Sequence, residues 1–353
     1  MISIEIAGMG GGAMVARAEK QAMRTAIAAS EQVRGTTSPN PPVGCVVLDA
    51  GGEVAGVGAT QPPGGPHAEV VALRTAGERA AGGTAVVTLE PCSHTGRTPP
   101  CTDALRAAGI ARVMHAVSDP NPQAAGGAEV LRGAGIDVHS GLLADEVERG
   151  PLRAWLHFAR TGRPHVTWKY AATLDGRSAA ADGTSKWISS AESRAEVHRV
   201  RAQVDAIVAG TGTVLADDPH LTARAPDGTL LARQPLRVVV GDREIPRGAK
   251  VFDDAAETIQ LPGGNPAAVL AALADRGIVD VLLEGGPRLA GAFVAARCLH
   301  RVLAYIAPLL LGAGPAALGE AGVGSISEAW RLHVEETTMS GPDVRVSAVP
   351  LDR

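Results

Sequence analysis

The sequence predicts an α/β protein of two domains, and three observations carry that expectation. Short apolar strands alternate with helical patterns along almost the whole chain, which implies layered α/β architecture. The alternation comes in two series separated by Thr161-Gly-Arg-Pro164. The length of 353 residues suits two domains at roughly 100–200 residues each.

Residues 1–13 are Gly-rich and read as disordered, or as a mis-assigned start ahead of Met14. An amphipathic helix is expected over 15–34. Val43–Leu48 reads as a strand, Asp49–Gly52 has hairpin-turn chemistry, and Glu53–Ala59 reads as the returning strand. A helix starts near His67. Thr84–Leu89 is a strand, and a helix runs from about Cys101 to Ala108. Ala111–Val117 and Ile136–His139 are further strands, and a helix covers about Ala144–Ala159. This first domain is taken as 14–150, with a linker over 151–164. The second, 165–353, is expected to hold strands at 165–172, 204–210, 236–240, 279–283 and 301–307, with helices at 190–202, 266–276 and 288–297.

Composition narrows the function classes. A net charge of −4 offers no basic field for nucleic acid or an anionic membrane. No apolar run reaches the ~18 residues of a membrane span, and the first basic residue, Arg17, follows the early apolar stretch, opposite to a secretory signal. The four cysteines, Cys45, Cys92, Cys101 and Cys298, are too few for a disulfide framework in a chain this long. A cytoplasmic enzyme with a small-molecule substrate is the expectation.

The chemistry lies in His67-Ala-Glu69 and Pro91-Cys92 … Cys101. One imidazole and two thiolates suit Zn²⁺ and leave its fourth position open, as in a catalytic site. Zinc brings the pKa of bound water to roughly 7. Glu69, two residues past His67, faces that water without being a ligand, so it can take a proton and deliver it to the ring nitrogen and leaving ammonia. His-x-Glu … Pro-Cys is the signature of zinc deaminases, although eight residues separate the two cysteines here where two are usual. Taken singly, His67 would read as a helix cap and the cysteines as buried thiols. The joint pattern points to the catalytic site.

The strings Pro91-Cys-Ser-His-Thr-Gly-Arg-Thr-Pro-Pro-Cys101, Pro39-Asn-Pro-Pro-Val-Gly-Cys45 and Asp119-Pro-Asn-Pro122 resemble the bifunctional riboflavin-biosynthesis deaminase/reductase family. So do Thr173-Leu-Asp-Gly176, Ser185-Lys-Trp-Ile-Ser189, Asp217-Asp-Pro-His-Leu-Thr-Ala-Arg224 and Glu284-Gly-Gly-Pro287. The resemblance covers about residues 15–320. It implies a cytidine-deaminase-like α/β/α domain followed by a dihydrofolate-reductase-like α/β domain, working as a homo-oligomer. It implies deamination of a 2,5-diamino-6-ribosylamino-pyrimidinone 5′-phosphate, then reduction of the ribosyl to a ribityl chain with NADPH.

The resemblance also implies site residues. Asn40, His94 and Arg97 would contact the deaminase substrate. In the second domain Ser185, Arg201, Leu221, Arg224 and Glu284 would hold the substrate, with Arg201 and Arg224 suited to its 5′-phosphate. Ala171, Trp187, Thr213, Asp217, Gly286, Pro287, Arg288 and Leu289 would lie along the dinucleotide, where glycine lets backbone N–H groups approach phosphate. Alone, Asn40 is a turn residue, Arg97 a solvated charge and Glu-Gly-Gly a tight turn. Lys169, on the first strand of this domain, either reaches the ribose or cofactor or snorkels to solvent.

Two departures stand out. Gly126 and Gly127 are adjacent where the family has Gly-x-Gly, which predicts an altered wall of the deaminase pocket. Segment 241–265 is short, and the usual strand and helix are hard to find there, which would trim the cofactor site. A single-function deaminase with a vestigial second domain is therefore the alternative. A deaminase acting on tRNA or free bases lacks the basic or aromatic track it would need, and a zinc-stabilised scaffold would normally close its site with four ligands.

Overall fold

The structure, a computed structural model, describes residues 9–94, 99–122 and 124–351. The chain divides into two compact units that meet between Gly162 and Arg163.

In the first unit, helix α1 (Met9–Gln32) precedes strands β1 (Gly44–Leu48) and β2 (Val54–Ala59). The two strands pair antiparallel across a turn in which the Asp49 carboxylate accepts from the backbone of Gly51 and Glu53. Helix α2 (Ala68–Ala76) follows, then β3 (Thr84–Leu89), α3 (Cys101–Ala107), β4 (Arg112–Val117), α4 (Gly127–Gly133), β5 (Asp137–Ser140), α5 (Ala144–Arg149) and α6 (Arg153–Thr161). The sheet order is β2-β1-β3-β4-β5. Strand β1 is buried at every position, as expected of an apolar run in mid-sheet. Gly58 lets α2 press onto β2: a Cβ there would meet the Ala68 carbonyl oxygen at 2.3 Å.

The second unit contains β6 (His165–Thr173), α7 (Ala191–Ala202), β7 (Ala206–Gly210), α8 (Thr211–Asp217), β8 (Leu236–Val240), β9 (Thr258–Leu261), α9 (Pro266–Ala274), β10 (Asp280–Leu283), α10 (Pro287–Ala295), β11 (Arg301–Ala307), β12 (Leu332–Ser340) and β13 (Asp343–Pro350). The sheet order is β12-β13-β11-β6-β10-β7-β8-β9. Pairing from β11 through β9 is parallel, and β13 and β12 join antiparallel. The period-2 geometry of strands sorts their side chains between two cores. Val281 and Leu283 pack with Val208, Leu273 and Phe293 on one face, while Leu282 packs with Ile207, Val239 and Val251 on the other. Burial on both faces is the rule for parallel strands.

Several expectations change. Residues 1–8 lie outside the described residues, whereas 9–13 open α1. The helix expected over 144–159 is two helices, interrupted at Gly150 and Pro151, because proline supplies no N–H to continue the ladder. Most of the segment read as a linker, 151–164, is occupied by α6, in which Ala154, Trp155 and Leu156 are buried. Segment 241–265 does contain a strand, β9, after a 3₁₀ turn at Lys250–Phe252. Helices α4 and α8 and the terminal hairpin β12–β13 were not anticipated.

Candidate active sites

The chemistry of the first unit gathers at two helix starts. His67 is the N-cap of α2, in extended conformation, and Glu69 sits in that helix's first turn and is buried. Cys92 follows β3, and Cys101 is the first residue of α3. His67 Nδ1 lies 3.2 Å from Cys101 Sγ and 3.6 Å from Cys92 Sγ. The Cys101 amide donates to Cys92 Sγ at 3.4 Å. The three ligand atoms lie within 4.8 Å of one another, and they form the metal-ligating cluster found among the described residues. A nitrogen and two sulfurs, with no fourth side chain in the cluster, fit an open Zn²⁺ site.

Electrostatics agrees with the geometry. A hydrogen bond from Cys101, then the neighbouring His67, bring the Cys92 thiol down to about 4 against the effect of burial. The same shared proton, then burial, push Cys101 up. Burial pushes Glu69 up to about 7, and its carboxyl also shares a hydrogen bond with the Cys101 thiol. It is thus beside the ligands without being one.

His67, Glu69 and Cys92 open into a cavity of about 390 Å³ that Asn40 and His94 also line. The Asn40 backbone is fixed by Thr37, whose carbonyl accepts from its N–H and whose hydroxyl donates to its carbonyl. Arg97 lies outside the described residues. Glu90 was not singled out from the sequence, yet it builds one wall. Its carboxylate accepts from the backbone N–H groups of Asp119, Gly126 and Ala128. Gly127 then passes so close to the Pro91 carbonyl oxygen that a Cβ would come within 1.7 Å of it. The adjacent glycines therefore shape the wall next to Cys92 rather than open a gap.

In the second unit a cleft of about 1210 Å³ runs past the C-terminal ends of β6, β7, β8 and β10, the usual ligand position in a parallel sheet. Its lining includes Ala171, Ser185, Trp187, Arg201, Thr213, Asp217, Leu221 and Arg224, together with the run from Glu284 to Leu289. All thirteen residues anticipated here lie on this one cleft. Their pairings differ from what sequence alone suggests. Arg201 grips Glu284 with a two-pronged contact, 2.6 Å from Nε and 2.9 Å from Nη2, so its fork is already occupied. Lys169 Nζ lies 3.8 Å from the same carboxylate; burial lowers its pKa and Glu284 opposes that shift. Burial pushes Glu284 up, but Arg201 and Lys169 outweigh it and hold the carboxyl at about 2. Gly286 donates its N–H to the Thr213 hydroxyl at 3.1 Å. Trp187 is exposed and stacks under the Arg194 guanidinium, 4.4 Å from the ring centre.

The shortened segment buttresses this cleft. Asp253 binds His220 Nδ1 at 2.7 Å and the buried Arg237 at 2.7 Å. Asp218 accepts from the Lys250 amide at 2.8 Å. His220 and Asp218 both line the cleft, so the loop 217–224 is anchored by residues of 241–265.

Comparison with known proteins matches a family model to each unit. Residues 16–117 match the cytidine and deoxycytidylate deaminase zinc-binding region, and 164–346 match the RibD C-terminal domain. The chain is 56% identical to the riboflavin biosynthesis protein RibD of Mycobacterium tuberculosis, over 93% of this chain and 96% of that protein. Identity to the Escherichia coli RibD is 40%, over 91% and 96%. Among solved structures, Acinetobacter baumannii RibD superposes with a TM-score of 0.87 at 35% identity, covering 96% of this chain and 100% of that one. The Thermotoga maritima diaminohydroxyphosphoribosylaminopyrimidine deaminase/5-amino-6-(5-phosphoribosylamino)uracil reductase gives 0.86 at 32%, covering 95% and 99%. With the ligand cluster in one unit and the long cleft in the other, the chain belongs to the RibD family of bifunctional deaminase/reductases of riboflavin biosynthesis.

Proposed function

We propose that the first unit deaminates 2,5-diamino-6-ribosylamino-4(3H)-pyrimidinone 5′-phosphate and that the second reduces the ribosyl group of the product to ribityl. The observation that carries the first step is the buried Glu69 carboxyl beside His67, Cys92 and Cys101 but outside their ligand set. Zinc, when bound by those three residues, supplies the Lewis acidity that lets water react near neutral pH. Glu69 takes one proton from the attacking water and passes it to the ring nitrogen, then carries a second proton from the hydroxyl left on the ring carbon to the departing amino group. Asn40 grips the pyrimidine edge through its amide, and His94 and Arg97 are the further substrate contacts of this reading.

In the second unit NADPH, when bound, supplies the hydride. Ala171, Trp187, Thr213, Asp217 and the stretch Gly286, Pro287, Arg288 and Leu289 hold the dinucleotide. Ser185, Leu221 and Arg224 hold the ribotide, with Arg224 at its phosphate. Glu284 fixes Arg201 and stands 3.8 Å from Lys169 Nζ, and Lys169 is the proton donor to the ribosyl oxygen released as the sugar ring opens. The reading includes a homo-oligomer in a reducing, cytoplasmic compartment. Free cysteines suit that compartment, and the edge strand β12 leaves Leu332, Val334 and Met339 exposed, which self-association would cover. No helix among the described residues is long and apolar enough to cross a membrane.

The test is anaerobic incubation with the diaminopyrimidine ribotide. Ammonia should appear without NADPH, and NADPH oxidation should follow its addition. Absence of ammonia overturns the first assignment. Ammonia without NADPH oxidation reduces the second unit to a vestige.

A further inference from the structure

Thr222 organises three basic side chains at the cleft of the second unit. It is buried, with 1% of its surface exposed. Its carbonyl accepts from Arg201 Nη1 at 3.0 Å and from His198 Nδ1 at 3.1 Å. Its hydroxyl accepts from Arg224 Nε at 3.0 Å. Arg201 and Arg224 already have roles in the reading above, but His198 has none. It stands on α7 one turn before Arg201 and lines the same cleft.

The chemistry of the ring follows from its one bond. A carbonyl can only accept, so Nδ1 carries the proton. In the neutral imidazole the lone pair is then on Nε2. Among the described residues no side chain or backbone group partners that nitrogen, and it is not among the buried atoms lacking a partner. Its outlet is the cleft. Burial, then the Arg201 cation and, more weakly, Arg224, hold the ring's pKa below its ordinary value, against the Thr222 carbonyl and the Glu284 carboxylate. The neighbouring functional groups are donors or are already paired. Arg201 and Arg224 can only donate, and Glu284 is occupied by Arg201 and Lys169.

Resting on the reductase reading, we propose that His198 is a substrate-binding residue whose Nε2 accepts a hydrogen bond from a hydroxyl of the ribosyl chain, and that Thr222 is the positioning residue that aims it together with Arg224. The cleft then recognises two features of a phosphorylated polyol by opposite means. The cationic donor Arg224 meets the phosphate, and one neutral acceptor meets a hydroxyl.

Asparagine separates this role from a merely structural one. In His198→Asn the side-chain N–H₂ can still donate to the Thr222 carbonyl, but nothing replaces Nε2. The experiment uses the full chain, the deaminated uracil ribotide and saturating NADPH. KM for the ribotide should rise roughly three- to tenfold, the share of one hydrogen bond, with the loss in KM rather than kcat. KM for NADPH should stay within twofold, roughly the smallest change such a bond would leave. Thr222→Val, which removes the Arg224 acceptor and keeps the carbonyl, should also raise KM for the ribotide, and Thr222→Ser should restore it. An unchanged ribotide KM in His198→Asn overturns the inference, as does a change that falls equally on NADPH. A wild-type chain that fails to oxidise NADPH with this ribotide overturns the reductase reading itself, and the two failures are told apart by that control.

Discussion

Glu69 is a carboxyl placed where ionisation is opposed by burial, and in the proposed mechanism a proton comes and goes there. Glutamine has the same shape and cannot carry that proton. Glu69→Gln should keep zinc by metal analysis and lose about 10²–10⁴-fold in the rate of ammonia release. Unchanged turnover would remove Glu69 from the mechanism. Glu284 is the opposite case, a buried carboxylate kept ionised by Arg201 and Lys169. Its unfolded pKa is about 4.3 and its folded value about 2. A depressed folded value means that the stabilisation is fully present above the unfolded pKa and disappears as pH falls toward the folded one. The second unit should therefore weaken between about pH 4.3 and 2. Glu284→Gln should flatten that slope in acid titrations of unfolding. At pH 7 it should cost about 3–5 kcal/mol by leaving Arg201 buried without its counter-charge.

At the scale of elements, short connections rather than long helices place the reactive groups. His67 is the N-cap of α2 and Cys101 the first residue of α3, where chain direction is fixed by the helix that follows. The wall beside Cys92 is held by the Glu90 carboxylate gathering three backbone amides. Gly127→Ala would drive a methyl into the Pro91 carbonyl. It should destabilise the first unit by about 1–3 kcal/mol or more and weaken zinc retention, since Pro91 adjoins Cys92. A chelator competition on the variant and the parent measures both effects together. Wild-type zinc retention in the variant would show that the wall can shift freely.

Across the whole molecule, each unit has its own sheet and its own site. The metal-ligating cluster found among the described residues, His67, Cys92 and Cys101, lies in the first unit. Treatment with a strong chelator should abolish ammonia release and leave NADPH oxidation with the deaminated ribotide within about twofold, less than the loss of even one hydrogen bond. Loss of both activities would show that the second unit depends on the metal.

His67-x-Glu69 and the paired cysteines were legible because zinc chemistry demands particular atoms, and local sequence supplies them. The alternation of helix and strand was legible for a similar reason, since side-chain periodicity is a local property. Exposure hid the hairpin β12–β13: β12 is largely solvent-facing, so it lacks the apolar alternation that marks a half-buried strand. Strand β9 sits at the sheet edge in only four residues. What only the tertiary structure decided is who pairs with whom. Arg201 looks free for phosphate in the sequence, but 83 positions along the chain Glu284 takes its fork. Glu90, Thr222 and Asp253 gain their roles the same way, through partners that no local pattern names. A side chain's type is written in the sequence, whereas the field and hydrogen bonds it meets are set by segments that only folding brings near.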